Sequence, residues 1–113
     1  MGNFLTVHAN EQSTFVVTVA FKDEEGNDVT PTSMNWTLTD SDGNVINNRE
    51  NVVVNSPSSS EDIVLSGDDL AVTDENNRVR ILTVEAVYSS SLGSNLPLKD
   101  DVTFTVDNLI AVS

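Results

Sequence analysis

The sequence contains no cysteine and few basic or aromatic residues. Without cysteine, neither a disulfide framework nor a thiolate metal site can form. Five lysines and arginines stand against eighteen aspartates and glutamates, which gives a net charge of −13. Such a surface repels the phosphates of nucleic acids and of anionic membranes. We therefore expect neither nucleic acid nor a membrane as a partner.

Motifs for catalysis are also missing. The single histidine, His8, has no nucleophile motif near it in the sequence, so a catalytic triad is not indicated. No glycine-rich phosphate loop follows a predicted strand. The many carboxylates stand in turns, where water keeps them ionised, whereas a general acid needs burial to raise its pKa. We expect a protein that is not an enzyme and that needs no cofactor.

Long apolar runs are absent as well, and the N-terminus has no basic segment followed by an apolar one. This pattern predicts no signal peptide and no membrane-spanning helix, which needs ~20 apolar residues. A length of 113 residues fits a single domain over residues 1–113.

Alternation of apolar and polar residues is the dominant pattern, as expected for half-buried strands. It is clearest over residues 13–21, 34–39, 82–88 and 102–106, and shorter strands are predicted at 4–8, 52–54 and 63–65. Residues 66–72 predict one helical turn, and residues 89–97 predict a long loop. Seven short strands favour two packed sheets over a small closed barrel, and Trp36 lies on the third strand, where immunoglobulin domains bury a tryptophan. The sequence therefore predicts an all-β fold, an immunoglobulin-like β-sandwich of about seven antiparallel strands in two sheets.

Two acidic turns are the candidates for metal binding. Asp40 and Asp42 in one turn, and Asp23 and Asp28 in the other, offer alternating carboxylates like those of a calcium loop. Counted from Asp40, however, the twelfth position is Asn51 and not the bidentate glutamate of such a loop. Since turns favour Asp, Gly and Asn for backbone reasons, a plain hairpin turn is the favoured interpretation and calcium the alternative.

Apolar residues at both ends of the chain are the candidates for partner binding. Phe4 and Leu5 precede the first long strand, and Leu109 and Ile110 follow the last. These residues can add to a sheet or groove of a neighbouring protein. The alternative is that the last strand continues, or that the tail packs against Phe4 and Leu5.

Four segments carry a resemblance to a known family. Residues 15–29 with Pro31, 34–40 with 42–45, 80–88 and 102–106 together resemble bacterial and phage immunoglobulin-like domains. Small single domains of this kind are similar to structural proteins of tailed phages, which decorate or cement the capsid or sit in the neck and tail. The family's tyrosine near the start of the sixth strand is not matched, since Tyr88 lies at the end of that strand.

The resemblance implies a non-enzymatic virion protein, most simply a capsid decoration or cement protein that is made in the host cytoplasm. Its partner would be the major coat protein or another virion protein, and self-association is compatible with this role. A tail or neck protein is one alternative. Another is a carbohydrate- or cell-surface-binding adhesion module, which the acidic turns would make calcium-dependent. Glycan sites use exposed aromatic side chains, yet the alternation turns Trp36 and Tyr88 inward.

Overall fold

The computed structural model describes residues 2–4, 9–72 and 78–107, and for residues 2–4 it describes the backbone. The strands are β1 (Gly2–Phe4), β2 (Ala9–Asn10), β3 (Thr14–Ala20), β4 (Ser33–Thr39), β5 (Val52–Val53), β6 (Ser60–Ser66), β7 (Val79–Ser90) and β8 (Gly93–Asp107). A single 3-10 turn, Gly67–Leu70, follows β6. The described residues contain no α-helix. The prediction of a β fold is confirmed.

The strands form two sheets. The larger sheet has the order β1-β8-β7-β4-β5, with β2 also paired to β8, and the smaller sheet consists of β3 and β6. Most pairs are antiparallel, but β1 and β2 run parallel to β8. The prediction of antiparallel strands throughout is therefore wrong for the N-terminal pairs. Parallel pairing needs a long connection between the two strands, and β1 and β8 are joined by nearly the whole chain.

The inward faces of both sheets share one hydrophobic core. The larger sheet contributes Trp36, Leu38, Leu82, Val84 and Phe104, and the smaller sheet contributes Val17, Ile63 and Leu65. The rings of Phe15 and Phe104 lie 4.9 Å apart between centroids and connect the two sheets. Trp36 is 7% exposed and Tyr88 9% exposed, so their predicted inward orientation is confirmed. Each fully buried side chain of this size contributes about 1.5–3 kcal/mol to stability.

The hairpin of β7 and β8 is longer than the sequence indicates. Residues 89–97 are not a long loop, because β7 ends at Ser90 and β8 begins at Gly93. Pro97 lies within β8, opposite Val87. The Val87 carbonyl accepts a 2.7 Å hydrogen bond from Thr32, on the β4 side. In an antiparallel ladder the nitrogen of Pro97 then points to the outer edge of β8, where a missing N–H breaks no bond.

The predicted helical turn forms as the 3-10 turn between the two sheets. The Ser66 amide donates a 3.1 Å hydrogen bond to the Asp69 carboxylate, which closes the turn at its N-terminus. The turn leads the chain out of β6 in the smaller sheet, before β7 begins in the larger one. It therefore places Asp69 at the junction of the two sheets.

Candidate functional site

The two acidic turns share one backbone structure. Residues 23–27 and 40–44 both follow the pattern Asp, two variable residues, Gly, Asn. In each turn the amide of the Asp donates to the carbonyl of the Asn, at 2.9 and 3.0 Å, and the amide of the Gly donates back to the Asp, at 3.1 and 3.2 Å. Gly26 and Gly43 take the left-handed conformation with φ of 83° and 88°, which favours glycine.

The side chain of the first residue completes both turns in the same way. One carboxylate oxygen of Asp23, and likewise one of Asp40, accepts hydrogen bonds from the amides of the third and fifth turn residues, at 2.9–3.0 Å. This is the geometry that makes aspartate favourable in turns. These contacts support the hairpin-turn interpretation, since in each carboxylate one oxygen is already occupied by the backbone.

The structure does not bring the four candidate metal ligands together. The turns at 23–27 and 40–44 stand at opposite ends of β4, and seven strand residues span roughly 23 Å. Asp28 pairs with Lys22. Asp42 lies in the second turn, away from Asp23 and Asp28. A shared calcium site built from both turns is therefore not formed.

Among the described residues, the close acidic group is Asp23, Glu24 and Glu25, whose carboxylates lie within 4.8 Å of one another. The carboxylate of Glu24 accepts hydrogen bonds from the hydroxyls of Tyr88, at 3.1 Å, and Ser90, at 3.2 Å. Burial, the hydrogen bond to Glu24 and the negative charges of Glu24 and Asp23 raise the pKa of Tyr88. The contacts attach the first turn to the end of β7 and leave an exposed acidic surface around it.

The opposite end of the molecule contains buried charges. Asp69 is 0% exposed, and its carboxylate accepts 2.8 Å hydrogen bonds from Arg49 Nε and Asn47 Nδ2 in addition to the bond from Ser66. Burial alone raises the pKa of Asp69, but these hydrogen bonds and the charge of Arg49 outweigh it and hold the pKa below its ordinary value of 3.8. Asp69 is therefore a charged group that connects the 3-10 turn to Asn47 and Arg49, which lie between β4 and β5.

Arg80 is the second buried charge at this end. It is 2% exposed, and its guanidinium donates to the carbonyls of Ala71, at 2.7 Å, and Val79, at 3.1 Å. Burial lowers the pKa of Arg80, and the carboxylate of Asp40, itself 4% exposed, acts in the opposite direction. The first residue of the second acidic turn is thus buried although residues 41–44 are exposed, whereas the first turn has no buried residue.

The sequence patterns did not identify Asp69 or Arg80 as buried charged residues. For Arg80 a signal exists, because it occupies the same face of β7 as the inward residues Leu82 and Val84. An inward arginine in a chain with this much acid predicts a buried carboxylate nearby. For Asp69 the sequence offers no comparable signal.

The basic residues are largely used up by contacts within the chain. Lys22 pairs with Asp28, Arg49 with Asp69 and Lys99 with Glu85, and Arg80 is buried. Among the residues that the structure describes, the exposed carboxylates include those of Glu24, Glu25, Asp42, Asp62 and Asp68. The surface is acidic at both ends and along the strands.

The residues predicted to contact a partner lie largely beyond what the structure describes. Phe4 ends β1, where it stands opposite Thr103 of β8. Leu5, Leu109 and Ile110 lie outside the described residues. The prediction that these four residues bind a partner stays a prediction.

No protein-family model matches the chain, and no similar curated protein or solved structure is found. Within the described ranges there is no helix of the length and apolar character needed to cross a bilayer. With no relative to transfer a function from, the fold and the charge distribution are the basis for a functional proposal.

Proposed function

We propose that the chain is a non-enzymatic structural protein of a tailed-phage virion, and that it decorates or cements the capsid by docking on coat subunits. The observation that supports this is the acidic surface left when Lys22, Arg49 and Lys99 pair with carboxylates of the same chain and Arg80 is buried. A protein with a net charge of −13 is steered towards basic surfaces on a partner. Docking on a large protein surface also needs no pocket.

The fold that we propose for this role is an immunoglobulin-like sandwich. Two sheets share one core, and Trp36 lies on β4 inside the larger sheet, on the side that faces β3 and β6. Both features are typical of that architecture. The smaller sheet has two strands here, whereas the corresponding constant-type immunoglobulin sheet has four.

A carbohydrate-binding role is less well supported. Stacking on sugars needs exposed aromatic faces, but Trp36 and Tyr88 are buried. A tail or neck position in the virion remains an alternative, because the same acidic surface serves docking there.

The proposal is tested by locating the protein. Mass spectrometry of purified phage particles should detect the chain, and immunogold labelling should place it on the capsid shell. Its rebinding to stripped capsids should weaken as the salt concentration rises, because the attraction is electrostatic. Gold labelling of the tail or neck would assign the protein to that structure instead of the capsid. Absence of the protein from purified particles would refute a virion role.

A further inference from the structure

In the part of the chain that the structure describes, one edge of the smaller sheet lacks the usual protection against strand pairing. β3 pairs with β6 on one side, and no described strand pairs with its other side. Its seven residues include no charge and no proline, and its register with β6 runs without a bulge. Proteins normally blunt such an edge with lysine, proline, a bulge or a covering segment.

The hydrogen-bond pattern shows which groups face this edge. The Phe21 amide donates to Ser59, at 2.9 Å, and the Ser13 carbonyl accepts from Gly67, at 3.1 Å. Odd-numbered residues of β3 therefore bond towards β6, and because the pattern alternates, even-numbered residues point the other way. The backbone groups on the outer edge are those of Thr14, Val16, Thr18 and Ala20.

The other strand edges are protected. On β8, β1 and β2 cover part of the outer edge, and Pro97 removes a donor from the rest. β6 carries Glu61 and Asp62, and β5 has two residues. In the described part of the chain, β3 is the long neutral edge.

A cavity of about 130 Å³ opens beside this edge, between the two sheets. Residues 18–20 of β3 line one wall, and Val84, Leu98 and Val102 line the other, with Asp100 as the charged member. A further strand laid along β3 would point every second side chain towards this cavity. The sheet is therefore shaped to accept one more strand.

We propose that two copies of this chain associate through β3, antiparallel about a two-fold axis, to form a four-stranded sheet in the order β6-β3-β3-β6. In the register centred on Val17, Phe15 faces Val19 of the copy, and Val16 faces Thr18. Inward residues then meet inward residues, and outward residues meet outward ones. The interface is self-complementary, as a two-fold contact requires.

Charge opposes the approach of a second copy everywhere except at an uncharged surface such as this edge. Two molecules with a net charge of −13 repel each other, so they can approach closely only along a neutral surface. β3 offers that surface. Because Asp100 borders it, salt should strengthen the association by screening the repulsion. Docking on a basic partner would weaken with salt, so the sign of the salt effect separates this inference from the proposed function, on which it does not depend.

A pair of proline variants tests the edge. Val16 and Val64 are cross-strand neighbours with similar exposure, 49% and 54%. By the same alternation the amide of Val16 faces the outer edge of β3, whereas that of Val64 faces the outer edge of β6. Val16→Pro therefore removes a donor from the proposed interface, and Val64→Pro is the matched control. Neither breaks the bonds between β3 and β6.

Sedimentation equilibrium over a concentration series should show a monomer–dimer equilibrium that tightens with salt. Val16→Pro should raise the dissociation constant at least about tenfold, since the two-fold axis removes the bond twice, and Val64→Pro should leave it within about twofold. Trp36 fluorescence checks that both proline variants fold. If one of them does not fold, Val16→Lys and its matched control Val64→Lys are measured in place of the proline pair.

Three results would overturn the inference. The first is a monomer at every salt and protein concentration. The second is equal weakening by the Val16 and Val64 variants. The third is complete protection of the Val16 and Thr18 amides from hydrogen exchange in dilute protein, which would mean that the chain covers its own edge. If the inference is right, the protection of these amides should instead rise with protein concentration.

Discussion

The two ends of the molecule are built on the same turn but treat charge in opposite ways. The turn at 23–27 lies at the surface, where Glu24 and Glu25 stay close together in solvent. The turn at 40–44 has identical backbone bonds, yet Asp40 is buried near Arg80. The local sequence therefore determines the turn, and the surrounding elements determine whether its charge is solvated or structural.

This difference has an energetic consequence. A solvated carboxylate contributes little to stability, whereas a buried one must keep its partners, because an uncompensated charge in the interior is strongly unfavourable. The end with Asp40 and Asp69 should therefore be sensitive to substitution and to acid. The end with Asp23 should tolerate both.

The largest effect is expected at Asp69. Asp69→Ala should lower the free energy of unfolding by about 2–4 kcal/mol, because Asn47, Arg49 and the Ser66 amide lose their common acceptor. Urea denaturation measures this change. The neighbouring exposed Asp68 is the matched control, and Asp68→Ala should change stability by less than about 0.5 kcal/mol. Equal losses in the two variants would contradict the assignment.

Acid should act on the same residue. The pKa of Asp69 lies below 3.8 in the folded state, so its contribution to stability is present above pH 3.8 and is lost as the pH falls through the folded-state pKa. The melting temperature should drop in that range. Asp69→Asn, measured beside the unsubstituted chain, should flatten the drop; parallel curves would show that other carboxylates control acid unfolding.

The next largest effects on stability are expected from substituting the first aspartate of each turn. Asp40→Ala should cost about 2 kcal/mol, since it removes three hydrogen bonds and a charge near Arg80. Asp23→Ala removes two hydrogen bonds from a partly exposed turn and should cost about 1 kcal/mol. Thermal melts of both variants measure the two losses of stability and so their ratio. A larger cost for Asp23→Ala would reverse the interpretation of the two ends.

Substitution of the glycine in either turn should lower the free energy of unfolding by the same amount. Gly26→Ala and Gly43→Ala should each cost about 1 kcal/mol, because both have a left-handed φ and an added methyl group meets no atom within 4 Å. The same urea experiment applies. Unequal values would mean that the two turns differ in backbone structure and not merely in surroundings.

The smallest effect is expected from calcium. We expect millimolar calcium to leave the melting temperature unchanged, because one carboxylate oxygen in each turn is engaged by backbone amides. A ligand that binds the folded state must raise that temperature. A clear rise, abolished by Glu24→Gln together with Glu25→Gln, would assign a calcium site to the first turn.

Alternation in the sequence predicts most of the framework. It locates β3, β4 and the centre of β7, because each has a buried face with period two. It fails at residues 89–97, where serine, glycine and proline suggest a loop. There the continuous pairing of Leu96 and Pro97 with β7 in one long hairpin overrides the loop preference of these residues.

Parallel pairing and buried charge could not be predicted from local patterns. Whether β1 runs parallel or antiparallel to β8 depends on contacts between opposite ends of the chain. Similarly, Asp69 meets Arg49 although β5, a loop and β6 lie between them in the sequence. The acidic turns were located correctly, since their pattern is local, but their different burial depends on the packing of the whole domain.

The connectivity of the two sheets also sets an order of folding. β7 and β8 are joined by two residues and can pair early, whereas β3 and β6 are separated by β4, β5 and their turns, so that a long loop must close first. A chain in the course of folding therefore exposes both edges of β3 for longer than those of the hairpin. Among the described strands, this uncharged strand is therefore the one that we expect to be most open to pairing with another chain while the protein folds.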